Sequence, residues 1–329
     1  MIRIFFISLL VYTSSAFASP PVYVNLQEQF KLFIEKGQNA DFETQLSLWK
    51  TEIETSIPDI YEDLLSHSSG KTTEEYRRER AAKWFPFIFA NSDKILSQFE
   101  KFDLEGWPKI AKLVANYPQV DFSDVNVVAM PSLMMFNGQV RTVNGHLVAI
   151  FGMDFLQLVD KNPKLIEGVD LINNTAVLVT HEFTHVFHSK VSEFGDSHDA
   201  STAFLDPLWK EGLAQMHSQM LVPGTDVATV LMEKNLSVSC NSSHVTSWAL
   251  DYLNDSKVTD EAEIESNYSK WFLMNDWKDL GVPRAGYCLG YYVILNAMQE
   301  HSFDELLLMK RKDAHVIIKK ILMDIAAIN

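Results

Sequence analysis

Cysteine is scarce in this chain: Cys240 and Cys288 are the only two among 329 residues. They allow one disulfide in an oxidising compartment or two buried unpaired thiols, and nothing more elaborate. Closing the loop between them would contribute roughly 4 kcal/mol on a chain-entropy argument. Positive charge is scarce as well, with 28 Lys and Arg against 43 Asp and Glu and a formal net charge of −15. A chain so acidic is not drawn by charge to nucleic acid or to an anionic membrane. Beyond the first eighteen residues no stretch of 18 uninterrupted apolar residues occurs, so no membrane-spanning helix is expected. Internal repeats and low-complexity tracts are absent too.

Met1 to Ala18 carries a single Arg, a mostly apolar run from Ile4 to Tyr12, and Ala16-Phe17-Ala18 in the pattern of a cleavage site. The apolar part is too short for a stable transmembrane helix, and the segment reads as a secretory signal peptide cut after Ala18. The mature chain of about 311 residues is expected to be secreted or periplasmic, and long enough for a sizeable core.

Residues 19–120 have the apolar spacing of helices, at Phe30–Ile34, Leu46–Trp49 and Ile57–Leu65. Gly70 and the charged run Thr72–Arg80 mark a solvated break or helix face, and the aromatic-dense Trp84–Phe89 reads as core. From Asp124 the period changes. Val125–Val128, Met134–Phe136, Gln139–Val143 and His146–Phe151 are separated by Asn137-Gly138 and Asn144-Gly145, the strongest short hairpin signal. The stretch reads as an antiparallel meander, with His146–Phe151 as candidate edge strand. Residues 225–270 are polar and weakly helical, in the manner of an insertion near a site mouth.

The chemistry is concentrated at His181-Glu182-Phe183-Thr184-His185. Two histidines at i and i+4 share one helix face and can reach a single tetrahedral zinc, with Glu182 beside them as a base. Asn174 is placed to cap this helix, Thr175–Lys190 to form it, and Val177, Leu178, Val179, Phe183, Val186 and Phe187 to bury it. A third ligand is needed. The pattern that takes a third His six residues on would require Gly at His188 and His at Val191, and fails. Glu211, 26 positions past His185, lies on a second helix marked by Asp206 as N-cap, Pro207 at N1 and Pro223-Gly224 as the stop. Gly212 and Ala214 suit close packing of that helix against the motif helix.

On these residues the chain resembles the gluzincin zinc peptidases, and in particular their secreted zinc-dependent proteases of otherwise unknown function. The resemblance covers roughly residues 124–300. It implies an α+β, zincin-like fold, mostly helical with a small antiparallel or mixed sheet before the motif helix. It implies Zn2+ held by His181, His185 and Glu211, with Glu182 as catalytic base acting on peptide or protein substrates. The corresponding organisation is a signal peptide at 1–18, a helical region at 19–120, the catalytic core at 121–222, and a mainly helical region at 223–329 that completes the site.

Tyr287-Cys288-Leu289-Gly290 is similar to the Tyr-x-x-Gly of gluzincin aminopeptidases, whose Tyr stabilises the oxyanion, so Tyr287 is the candidate for that role. Tyr291 and Tyr292 compete with it. No Gly-x-Met-Glu-Asn element is present, so aminopeptidase specificity is not implied. Gln215 stands where several gluzincins have an Asp that orients a ligating His. His188 reads as the partly exposed polar end of the motif helix, His217 as structural, and His198 as part of a solvated loop. The alternative to a working peptidase is a catalytically restricted or inactive zinc-containing secreted binding protein.

Overall fold

A computed structural model describes residues 19–66, 70–164, 169–192, 194, 204–274 and 277–327. The signal-peptide segment and His198 lie outside the described residues. The chain is mostly helical with one small mixed sheet, an α+β composition. No helix among the described residues is long and apolar enough to cross a membrane.

The sheet has four strands: β1 (Val22–Asn25), β2 (Asn126–Met130), β3 (Gly138–Val143) and β4 (His146–Gly152), in the order β1-β2-β4-β3. β2 runs parallel to both β1 and β4, while β3 is antiparallel to β4. The expected meander is therefore corrected. Asn144 and Gly145 both have positive φ, 51° and 81°, and form the tight turn between β3 and β4 that the dipeptide predicts. Asn137-Gly138 makes no hairpin; Gly138 opens β3 instead. The connection before it is a loop in which Leu133 and Met134 take left-handed backbone, at φ 54° and 58°. Buried Asp154 holds that loop, accepting from Ser132 N at 2.7 Å, Ser132 Oγ at 2.8 Å and Met134 N at 2.9 Å.

β4, expected at the edge, lies inside the sheet between β2 and β3, and β3 takes the edge beside the motif helix. Segment 19–120 is helical except for β1, whose four residues are too few to show an alternation. Its aromatic run is core, as expected: Phe85 packs against Phe33 at 5.4 Å and Trp49 at 5.6 Å. One continuous hydrophobic cluster extends from Leu26 to Ile325.

The motif helix spans Thr175–Val191, and Asn174 Oδ1 accepts from Val177 N at 3.1 Å as its cap. Its apolar residues are buried, so its polar residues face protein on nearly every side. The second helix, Leu205–Leu221, ends just before Pro223-Gly224. Asp206 is not its cap but lies in its first turn, where the carboxylate binds Arg311 and, at 2.6 Å, His315 of the C-terminal helix Arg311–Ala326. Gly212 packs against Gly290 of a third helix, Ala285–Ala297, rather than against the motif helix. A Cβ at 212 would lie 2.6 Å from the Gly290 carbonyl carbon, and one at 290 would lie 2.6 Å from Leu208 O. The two helices approach backbone to backbone, which only glycine permits. Cys240 and Cys288 form a disulfide tying this third helix to residues preceding Asn241.

Candidate metal centre and cleft

The motif helix presents His181 and His185 on one face, and the second helix crosses it with Glu211 aimed at the same point. His181 Nε2 is 3.2 Å from His185 Nε2, and Glu211 Oε2 is 3.1 Å from the first and 3.6 Å from the second. Bonds of about 2.0–2.1 Å at a tetrahedral centre put ligand atoms about 3.3 Å apart. The three observed edges bracket that value. They also bring together three atoms with lone pairs, two imidazole nitrogens and a carboxylate oxygen, which repel unless a cation or proton lies between them. The residues therefore fit a divalent metal by separation and by donor chemistry, two nitrogens and one oxygen.

Electrostatics reinforce the convergence. Burial alone would raise the Glu211 pKa, yet the charge of His185 and contact with His181 hold its carboxyl well below the usual range. Burial opposes protonation of His185, but the Glu211 carboxylate outweighs it and raises the pKa. Glu182 is 8% exposed, and its burial raises its pKa against the lowering influence of His181 and His185. Its stem packs against β3 so closely that a Cβ at Gly138 would fall 2.9 Å from Glu182 Cγ.

A cleft of about 520 Å3 opens over these groups, bounded on one side by β3 from Gly138 to Thr142. Tyr287 lines it, its ring 6.2 Å from that of His181 and nearly parallel to it. Burial pushes the phenol's pKa far up, so it remains a proton donor. The competing tyrosines are occupied elsewhere: Tyr291 donates to Gln219 Oε1 at 2.8 Å and Tyr292 to Cys240 O at 3.4 Å. Tyr268, from the helix Glu261–Phe272, also faces the cleft, its pKa pushed up to about 12 by burial and then by the Glu211 charge. Sequence reasoning missed it, because the Asn-x-Ser pattern Asn267-Tyr268-Ser269 around it carries no catalytic signal. Lys210 lines the same cleft and donates to Phe194 O at 3.0 Å.

His188 corrects an expectation: it is 2% exposed, its ring 4.8 Å from that of Phe194 and tilted to it by 45°, with its pKa pushed down to about 3 by burial and then by Lys210. His217 is buried as a structural residue, its Nδ1 2.9 Å from Thr184 Oγ1 and its ring 4.9 Å from that of Phe303. Both side-chain polar atoms of Gln215 are buried without a hydrogen-bond partner, as is His181 Nδ1.

Comparison with protein-family models, with curated proteins and with solved structures gave no match.

Proposed function

We propose that the chain is a zinc-dependent metallopeptidase of gluzincin type on a zincin-like fold, exported and cut after Ala18. The observation that carries this reading is the convergence of His181, His185 and Glu211, drawn from two helices, beside a buried carboxylate and a phenol in one cleft. A purely structural metal site has no use for Glu182.

A zinc ion held by these three residues supplies Lewis acidity toward a water molecule and the scissile carbonyl. Glu182 takes the proton of the attacking water and returns it to the leaving amine. Burial raises its pKa above the usual carboxylate range, which favours a group that takes up a proton and then releases it. Tyr287 donates toward the oxygen on which charge develops. β3 offers its outer edge, unpaired among the described residues, to an extended peptide main chain, which binds by backbone hydrogen bonds whatever its side chains.

Elemental analysis of the mature protein tests the metal set. One zinc per chain is expected in the wild type, with loss or strong weakening in both His185→Ala and Glu211→Ala. Zinc retained by Glu211→Ala alone would overturn the gluzincin assignment. Zinc bound by a wild type that cleaves neither unstructured proteins nor short peptides would favour the binding protein.

A further inference from the structure

We propose that the cavity adjoining the metal cleft receives the C-terminal residue of a substrate peptide, its large apolar side chain inside and its terminal carboxylate on Arg284. The proposal rests on the peptidase reading and makes the activity that of a carboxypeptidase.

The cavity has a volume of about 410 Å3, in the range of small-molecule sites, and its walls include Phe155, Leu171, Leu178, Met232, Phe272 and Met274. It shares walls with the cleft at two places. Tyr287 lines both spaces. Gly138, on the cleft side, sits against Leu178 of the cavity as well as against Glu182, so the absence of a side chain there brings the two walls together. A residue whose peptide bond lies at Glu182 therefore has the cavity within reach of its side chain.

Arg284 sets the chemistry of the far side. It lines the cavity at 9% exposure, and its guanidinium lies 3.9 Å from the centroid of the Tyr287 ring. Arg77, Arg78, Arg141 and Arg311 each face a carboxylate. Among the described residues no carboxylate lies within ion-pair range of Arg284, which hydrogen-bonds the Tyr287 side chain and feels the Glu182 charge from further off. A buried cation without a counter-ion is costly, and stacking on one ring offsets only part of the cost. Its backbone is left-handed, at φ 60° and ψ 28°, which a non-glycine residue adopts at the expense of strain. Strain and a buried guanidinium with no carboxylate in direct contact, in a cavity beside the candidate metal cleft, mark a site that suits an anion.

A guanidinium fork suits a carboxylate above other anions on a peptide. The walls are mostly apolar, with Asn137, Asn173 and Asn174 among them, so the side chain favoured there is largely apolar and does not bring the carboxylate itself. A single residue carries both an apolar side chain and a carboxylate only at a C-terminus. The reaction is hydrolysis: the water oxygen bonds to the acyl carbon, the C–N bond breaks, and the leaving amine gains a proton as the free amino acid departs.

Peptides of one sequence ending in Leu or Phe, each as free acid and as C-terminal amide, test this on the zinc-loaded protein. The free acids should be preferred about tenfold or more in kcat/KM, mainly through KM. Arg284→Gln should abolish that preference with zinc content unchanged, and Arg284→Lys should restore part of it. Calorimetry gives a readout independent of turnover: N-acetyl-phenylalanine should bind the wild type more tightly than its amide, and Arg284→Gln should lose the difference. Should Arg284→Gln fold poorly, Met274→Trp narrows the cavity and should shift preference from Phe toward Ala. Amides cleaved and bound as well as acids, or an acid preference that survives Arg284→Gln, would overturn the proposal. Acid-selective binding through Arg284 without hydrolysis would uphold the subsite while removing the peptidase reading.

Discussion

Replacing Gly212 by alanine tests whether one helix crossing sets the geometry of the metal ligands. In a helix interior Gly→Ala ordinarily gains about 1 kcal/mol, because alanine loses less backbone freedom on folding. The sign should reverse here. The new Cβ would fall 2.6 Å from the Gly290 carbonyl carbon, with Ile294 Cγ1 at 2.8 Å. Carbon atoms rest about 3.5 Å apart, so the two helices must separate by close to 1 Å, and backbone cannot step aside as a side chain does. Overpacking of this kind costs typically about 1–3 kcal/mol after relaxation. A net loss in that range should lower the melting temperature of the metal-free protein by about 2–6 °C. Glu211 is the preceding residue, and metal–ligand distances tolerate only about 0.2 Å of error. The Glu211 side chain can absorb part of the displacement, so zinc affinity should fall about tenfold rather than vanish. Thermal unfolding in chelator, followed by competition titration with zinc, measures the two effects separately. A Gly212→Ala protein more stable than wild type, with undiminished zinc affinity, would refute the crossing as described.

Glu182→Gln should lower kcat for peptide hydrolysis by about a hundredfold to ten-thousandfold while leaving zinc bound, and full activity in that variant would remove Glu182 as the base. Cys288→Ser opens a loop of 48 residues and should cost about 4 kcal/mol, read from denaturant unfolding beside the wild type; a loss below about 1 kcal/mol would mean that the unfolded chain gains little freedom. His217 has its pKa pushed down to about 4 by burial, against an ordinary value of 6.5, so it favours folding in its neutral form. Its contribution is complete above about pH 6.5 and is lost as pH falls toward 4, up to about 3 kcal/mol in all. In His217→Gln the acid loss of stability between pH 6.5 and 4 should be shallower than in the wild type, and an unchanged slope would reject burial of the neutral ring.

The candidate metal set was legible because each part of it is local. Histidines at i and i+4 share a helix face wherever the helix lies, and Asn174 and Pro223-Gly224 mark a start and a stop by backbone chemistry alone, while Pro207 falls inside the first turn rather than at the start. The turn at Asn144-Gly145 was legible for the same reason, since both residues need positive φ. Asn137-Gly138 has an identical dipeptide and no hairpin, because β2 pairs with β4 and the intervening loop is pinned by Asp154, twenty or so residues away. The edge position of β3, the partner of Gly212 and the burial of His188 depend likewise on which elements meet.

Sequence by itself thus determined the two helices that carry the candidate ligands, the carboxylate between the histidines and the helical, aromatic-rich character of the N-terminal region. Tertiary structure alone decided that His181, His185 and Glu211 converge on one point and that Cys240 and Cys288 bond. It also decided that Tyr287 rather than its two neighbours faces the cleft, that Tyr268 joins it, and that Arg284 is buried with no carboxylate in direct contact among the described residues. Spacing along a chain governs what one element presents on each face. Distances between elements follow from packing, and no residue carries the packing of another.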